Sequence, residues 1–260
     1  MRYFFIEPSE ISGSTSIITG SDARHIKTVL RLKPGDTIGL FDGRGIEYRA
    51  EIIAFSPESI NVSIIDSFPS TAESPVQIII AQAFLKEKKM DGLVRQLTEL
   101  GVTKWIPFFA ERSVSRPDKK QISARTERWK KIAKESLKQC KRGRIIEIGE
   151  TVSFGEVLTL GESCDLKIVF WENEFKLVNT ELPKPNRQIN TIFAVLGPEG
   201  GLTSREIESA KNRGFVTAAL GPRILRAETA TIAACVLLQY LFGDMNQKNL
   251  DKKRCFKYQK

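Results

Sequence analysis

The chain has 260 residues, 41% apolar and 27% charged. That is enough for one large or two ordinary globular domains, and it excludes a disordered or fibrous protein. A net charge of +9 and a sequence pI near 9.4 make nucleic acid the leading partner class, because cationic side chains release the counterions condensed on a polyanion.

In chain order, MRYFFIEPSE carries one basic residue and an early Pro8, unlike a secretion signal. Residues 1–70 read as mostly β, with strands RYFFIE, DTIGLF, IEYRAEIIAF and SINVSIID. In the last, apolar side chains recur at every second position: Ile60, Val62, Ile64. Lys33-Pro34-Gly35-Asp36 and Asp42-Gly43 supply turns, and one helix is expected over Asp22 to Leu32. A small β-barrel is the expected closure. Ser67 to Ser74 reads as the joint to a second domain, residues 75–246, where strands and helices alternate. VQIIIAQAF, VTKWIPFFA, RIIEI, DLKIVFW, TIFAVL and FVTAAL are its strands. Helices are expected from Met90 to Leu100 and from Gln121 to Lys141. Such alternation predicts an α/β fold with a mostly parallel sheet between two helix layers.

The most apolar stretch, Thr231 to Phe242, is about half the ~20 residues of a membrane span, so no membrane segment is expected. Four scattered cysteines and a single histidine predict no metal site and fit a reducing cytoplasm. The tail, residues 247–260, holds six Lys/Arg against one Asp.

Chemistry concentrates between Ala194 and Met245. Two strands each end in Leu-Gly-Pro, at Leu196-Gly197-Pro198 and Leu220-Gly221-Pro222, and each is followed by a loop and a helix. Thr203 and Glu206 have capping-box spacing, which starts a helix near Ser204. GPEGGLT lacks the endings of a P-loop or a dinucleotide fingerprint. Taken by itself it is either a structural turn or part of a ligand crevice at the carboxyl ends of strands.

LGPEGGL and LGPRILRAETA, with RHIKTVLRLKPGD, LFDG, KKMDGLVRQLTELGV, IPFFAERS and KESLKQCKR in the same order, resemble the 16S ribosomal RNA uridine-N3 methyltransferases. These are the RsmE family of the trefoil-knotted SPOUT class. The resemblance covers nearly the whole chain except the tail. It implies a PUA-like RNA-binding domain over residues 1–70 and a catalytic α/β domain with a deep knot, an exception to the usual rule against threading. It also implies a homodimer and S-adenosylmethionine as cofactor, with the pocket near the subunit interface. Leu196, Gly197, Glu199, Gly200 and Gly201 would line that pocket from the first loop. Leu220, Gly221, Ile224, Leu225 and Arg226 would do so from the second. The implied reaction is methylation of N3 of a uridine in the decoding-region helix of small-subunit ribosomal RNA.

Uracil N3 must lose a proton before it can attack, so a base or an anion-stabilising cation is required. Arg226 is the candidate for the uracil anion, and Glu228 for orienting the base or accepting the proton. The alternative is that the two pair with each other or serve the first turn of the last helix. Trp171, Glu172 and Glu174 either flank the cofactor or end a strand. The RNA-facing candidates are Arg24, His25 and Arg31 on the N-terminal helix, Arg44 in the hairpin, Lys86, Lys88 and Lys89, and Arg112 and Arg116. Between Arg112 and Arg144 there are thirteen Lys/Arg and three Asp/Glu, more than a solvated helix face needs. Competing readings are a knotted methyltransferase acting on ribose or transfer RNA, and an RNA-binding assembly factor with a vestigial pocket.

Overall fold

The computed structural model describes residues 2–86, 88–174 and 188–246; the basic tail, residues 247–260, lies outside them. The chain divides into two compact units. Met1–Glu73 groups with Lys134–Ile145, and Ser74–Ala133 groups with the described residues from Ile146 on. The sequence division at Ser67 to Ser74 did not contain the return of Lys134–Ile145 to the first unit.

The first unit is built on strands β1 (Tyr3–Phe5), β2 (Ile11–Ser12), β3 (Thr15–Thr19), β4 (Thr37–Phe41), β5 (Ile46–Phe55) and β6 (Ser59–Pro69). They form one sheet in the order β1-β4-β5-β6-β3-β2. Its edges β1 and β2 do not pair, so the expected barrel is a half-barrel. A helix fills the open side: α1 (Gly20–Arg24) continues as a π-helical turn, His25–Leu30. Ala23 and Ile26 of this helix join Phe4, Ile38, Leu40 and Ile52 in the core. The helix stops at Leu30, two residues short of the expected end, because Arg31 takes a left-handed conformation (φ 53°).

In the second unit β7 (Gln77–Ala83) leads to α2 (Lys89–Glu99), β8 (Lys104–Phe109) and α3 (Lys119–Cys140). Then follow β9 (Glu147–Ile148), β10 (Val152–Ser153), α4 (Phe154–Gly161) and β11 (Leu166–Phe170). The chain ends in β12 (Thr191–Leu196), α5 (Ser204–Asn212), β13 (Val216–Ala218) and α6 (Ala227–Leu241). Strand order is β10-β8-β7-β12-β11-β13, with β9 on β8, and every pairing is parallel. Successive side chains of a strand alternate between faces. Ala81, Ala83, Phe193 and Val195 share a core with α4 and α5, while α2 packs on α6, and α6 lies against β7 and β12. Trp129 of α3 is fully buried, edge-on to Trp105, and its indole N–H donates to Asp91 at 3.0 Å. The expected knot depends on a chain path that includes residues 175–187, outside those described.

Candidate active site

Register aligns the carboxyl ends of three strands. Phe170 of β11 pairs with Leu196 of β12 on one side and with Ala218 of β13 on the other. The loops leaving those ends are therefore neighbours, and they enclose a cavity of about 580 Å³, a size typical of small-molecule sites. All ten residues expected to line a pocket, from Leu196 to Gly201 and from Leu220 to Arg226, lie on its wall. Trp171 and Glu172 line it as well. Glu174 does not: it accepts the Thr217 hydroxyl at 2.5 Å and stands 3.9 Å from Lys211 Nζ.

The first loop is shaped by its backbone. Gly201 has φ 69°, a left-handed conformation that strains any other residue, and a Cβ there would also make the Glu172 carboxylate move aside. Its amide donates to the Pro198 carbonyl at 2.9 Å. The expected capping box closes the loop: the Thr203 hydroxyl accepts from the Glu206 amide, and Glu206 Oε2 accepts from the Thr203 amide at 2.8 Å. The other Glu206 oxygen accepts from the Glu111 amide at 2.9 Å, and Arg112 Nη1 donates to the Gly200 carbonyl at 3.1 Å. Thus the segment after β8 braces the loop. From below, the fully buried Gln82 donates to the Gly197 carbonyl at 3.2 Å and receives the Thr231 hydroxyl of α6. The sequence reading passed over Gln82, although an amide within the apolar run of β7 was its signal.

Arg226 forms the N-cap of α6 without a side-chain cap bond. Its side chain is exposed on the wall, and no carboxylate pairs with it among the described residues. Glu228 is not on the wall. Its Oε2 lies 3.3 Å from Lys89 Nζ, within ion-pair range, and is buried without an aligned hydrogen bond. The alternative that Arg226 and Glu228 pair with each other is therefore not what the structure shows. Lys89 lines the cavity and also pairs with Glu199 at 3.1 Å. The hydrogen bond to Glu199, partly opposed by burial and helped by Glu228, raises the Lys89 pKa. Burial alone would push the Glu199 carboxyl up, but the Lys86 amide, its own amide and Lys89 together hold it below the ordinary carboxylate value.

The basic candidates separate into two groups. Arg24, His25, Arg31, Arg44, Lys86 and Lys88 present exposed side chains. Lys89, Arg112 and Arg116 have partners inside the protein; Arg116 donates to the Ala110 carbonyl at 2.9 Å and lies over the Phe109 ring. The sequence reading did not single out Arg144, which is the antiparallel bridge partner of Arg44. Glu73 clamps that bridge, accepting from the Gly143 and Arg144 amides at 3.0 and 2.9 Å and from the buried Arg142 at 2.9 Å. Like charges set opposite each other on paired strands repel, yet both guanidinium groups are exposed.

The family model for an RNA methyltransferase domain matches residues 72–239, and the one for an RNA methyltransferase PUA domain matches residues 18–65. Ribosomal RNA small subunit methyltransferase E of Bacillus subtilis (strain 168) is 33% identical over 251 residues, covering 92% of this chain and 96% of that one. The chain belongs to the ribosomal RNA small subunit methyltransferase E family. Among solved structures of the family, the Neisseria gonorrhoeae enzyme bound to S-adenosyl methionine superposes with a TM-score of 0.82 at 29% identity, covering 95% of this chain and all of that one. A putative methyltransferase of Legionella pneumophila, in complex with the same cofactor, gives 0.79 at 28% identity, with 94% and 98% covered. Family membership fits the PUA-like half-barrel and the parallel α/β unit. Among the described residues no helix is long and apolar enough to cross a membrane, and no cluster of three His, Cys, Asp or Glu residues is placed to hold a metal ion.

Proposed function

We propose that the protein methylates N3 of a uridine in small-subunit ribosomal RNA, with S-adenosylmethionine bound in the cavity between the two Leu-Gly-Pro loops. The observation that carries this reading is that both loops, with Trp171 and Glu172, bound one cavity at the aligned ends of β11, β12 and β13. The wall fits the cofactor. Peptide groups at 197–201 and 220–225 suit its adenine and methionine parts, and Gly201 leaves the Glu172 carboxylate in place beside them. When bound, the cofactor supplies an electrophilic methyl group on a sulfonium. The protein's part is to hold uracil N3 in line with that methyl group. Arg226, unpaired on the wall, stabilises charge spreading onto the uracil oxygens as the N3 proton leaves. Glu228 stands off the wall in the Lys89 ion pair, so its proposed part is to orient the site and to accept the N3 proton through one bridging water.

RNA would be gripped through phosphates by the exposed Arg24, His25, Arg31 and Arg44, with Arg144 added, and by Lys86, Lys88, Arg112 and Arg116. Such contacts position the substrate, while a splayed base in the cavity selects the uridine. A homodimer is supported by the uncovered apolar groups of the second unit: Ile224 is 86% exposed, and Val236, Tyr240 and Leu241 lie uncovered on α6. The knot, the domain limits at 1–70 and 75–246, and a cytoplasmic location belong to the same reading. The test is transfer of labelled methyl from S-adenosylmethionine to purified 30S subunits and to naked ribosomal RNA, with the product mapped by nuclease digestion and mass spectrometry. A 3-methyluridine at one position is the expected result; a methylated ribose or a transfer RNA product would overturn the base and site assignment.

A further inference from the structure

Lys89 joins two carboxylates that stand 110 and 139 positions along the chain from it. Its ammonium lies 3.1 Å from Glu199 Oε1 in the first loop and 3.3 Å from Glu228 Oε2 in the first turn of α6. Side-chain exposures of 28% for Lys89, 25% for Glu199 and 26% for Glu228 put the cluster at the margin of the cavity. One positive charge against two negative ones leaves the cluster net anionic, so Lys89 has no charge to spare for a phosphate. Without it, two carboxylates would face each other as like charges, and one would hold its proton to higher pH. Other ionisable groups leave this balance to the three. Arg223 and Arg226 line the cavity, and they and the exposed Lys86 and Lys88 form no ion pair with either carboxylate; on α2 Asp91 is taken by Arg128 and Trp129, while Arg95 and Glu99 lie further along the helix. The strands β7 and β12 packed against α6 contain no titratable residue.

We propose that Lys89 is a positioning residue of the methyl-transfer site. Through Glu199 and Glu228 it ties the first glycine loop to the start of the helix that carries Arg226. This rests on the cavity being the S-adenosylmethionine site. The sequence alone had placed Lys89 among the RNA contacts, and the two roles give different kinetics. A positioning role acts on kcat, because a small misplacement of reacting groups costs rate. A phosphate contact acts on the KM for RNA and on its salt dependence.

The experiment compares wild type with Lys89→Gln, Lys89→Arg and the double variant Lys89→Gln/Glu199→Gln. The readouts are methyl transfer, S-adenosylmethionine titration, and melting temperature against pH. Lys89→Gln should lower kcat about ten- to a hundredfold while the KM for RNA and its salt slope stay as in wild type. Lys89→Arg should recover most of that loss. Relative to wild type, the melting temperature of Lys89→Gln should fall as pH rises from about 5 to about 8, as both carboxylates ionise. Removing the Glu199 charge should abolish that fall. An unchanged kcat with a raised KM and a salt slope shallower by about one would make Lys89 a phosphate contact and overturn the proposal. So would a Lys89→Gln melting profile parallel to wild type at every pH, a result that needs no turnover. A wild-type chain that binds no S-adenosylmethionine sinks the cofactor reading instead, and the melting profiles still decide whether Lys89 unites the two carboxylates.

Discussion

Four arginines of the first unit and the cations around the cavity of the second hold their charge differently. In the first, the guanidinium groups of Arg24, Arg31, Arg44 and Arg144 are exposed and form no ion pair among the described residues, and the Glu73 clamp holds Arg44 and Arg144 side by side. In the second, Lys89 on the cavity wall is tied to two carboxylates, and Arg112 behind the first loop to the Gly200 carbonyl. Arg226 is an exception on the wall, as is the exposed Arg223 beside it. Unpaired guanidinium groups are suited to a polyanion that arrives from solution, whereas a cation shared by two carboxylates, as Lys89 is, fixes geometry. The lesson is that basic residues at an RNA-modifying site are sorted by their partners, and their number says little.

Arg226→Ala gives the largest expected effect and tests that exception. Removing one donor aimed at developing charge costs roughly a hundred- to a thousandfold in turnover, with cofactor affinity changed by only about threefold. Single-turnover methyl transfer and calorimetric titration measure the two quantities, and turnover at wild-type rate would remove Arg226 from the chemistry. Next comes the double variant Arg44→Ala/Arg144→Ala. Loss of two phosphate contacts should flatten the salt slope of RNA binding by about 1.4–1.8 and raise KM, leaving kcat at saturating RNA unchanged. A slope equal to that of wild type would erase the contrast between the units. The smallest effect concerns acid. The Glu199 carboxyl is held below its ordinary value, so its pairing stabilises the fold fully above that ordinary value and is lost as pH falls through the lowered one. Accordingly, Glu199→Gln should reduce the acid-side slope of melting temperature against pH without altering the plateau slope near neutrality.

Local signals made much of this legible in the sequence. The Thr203/Glu206 spacing marked the start of α5 and Gly101 the end of α2, because each depends on residues a few positions apart; the cavity wall at the two Leu-Gly-Pro loops came from the family resemblance, since the loops by themselves could equally be structural turns. What escaped depended on contacts across the chain. Lys89 looked like one cation of a basic run because its partners belong to the loop after β12 and to α6. The return of Lys134–Ile145 to the first unit rests on Glu7, Asp22 and Glu73, which lie roughly seventy or more positions earlier. Arg31 was assigned to a helix face, but the π-helical turn before it shifts the helix end. The half-barrel escaped because strand periodicity says which residues alternate and nothing about whether the outer strands meet.

Gly197, Pro198, Gly200, Gly201, Gly221 and Pro222 all stand on the cavity wall, so much of what a bound molecule meets there is main chain. A substitution replaces side chains and leaves amides and carbonyls in place, and at Gly201 the left-handed backbone strains any side chain. An inhibitor that took its hydrogen bonds from those peptide groups would leave the protein few routes to resistance. One that leaned on Ile224 at the exposed rim could be escaped by a single codon change.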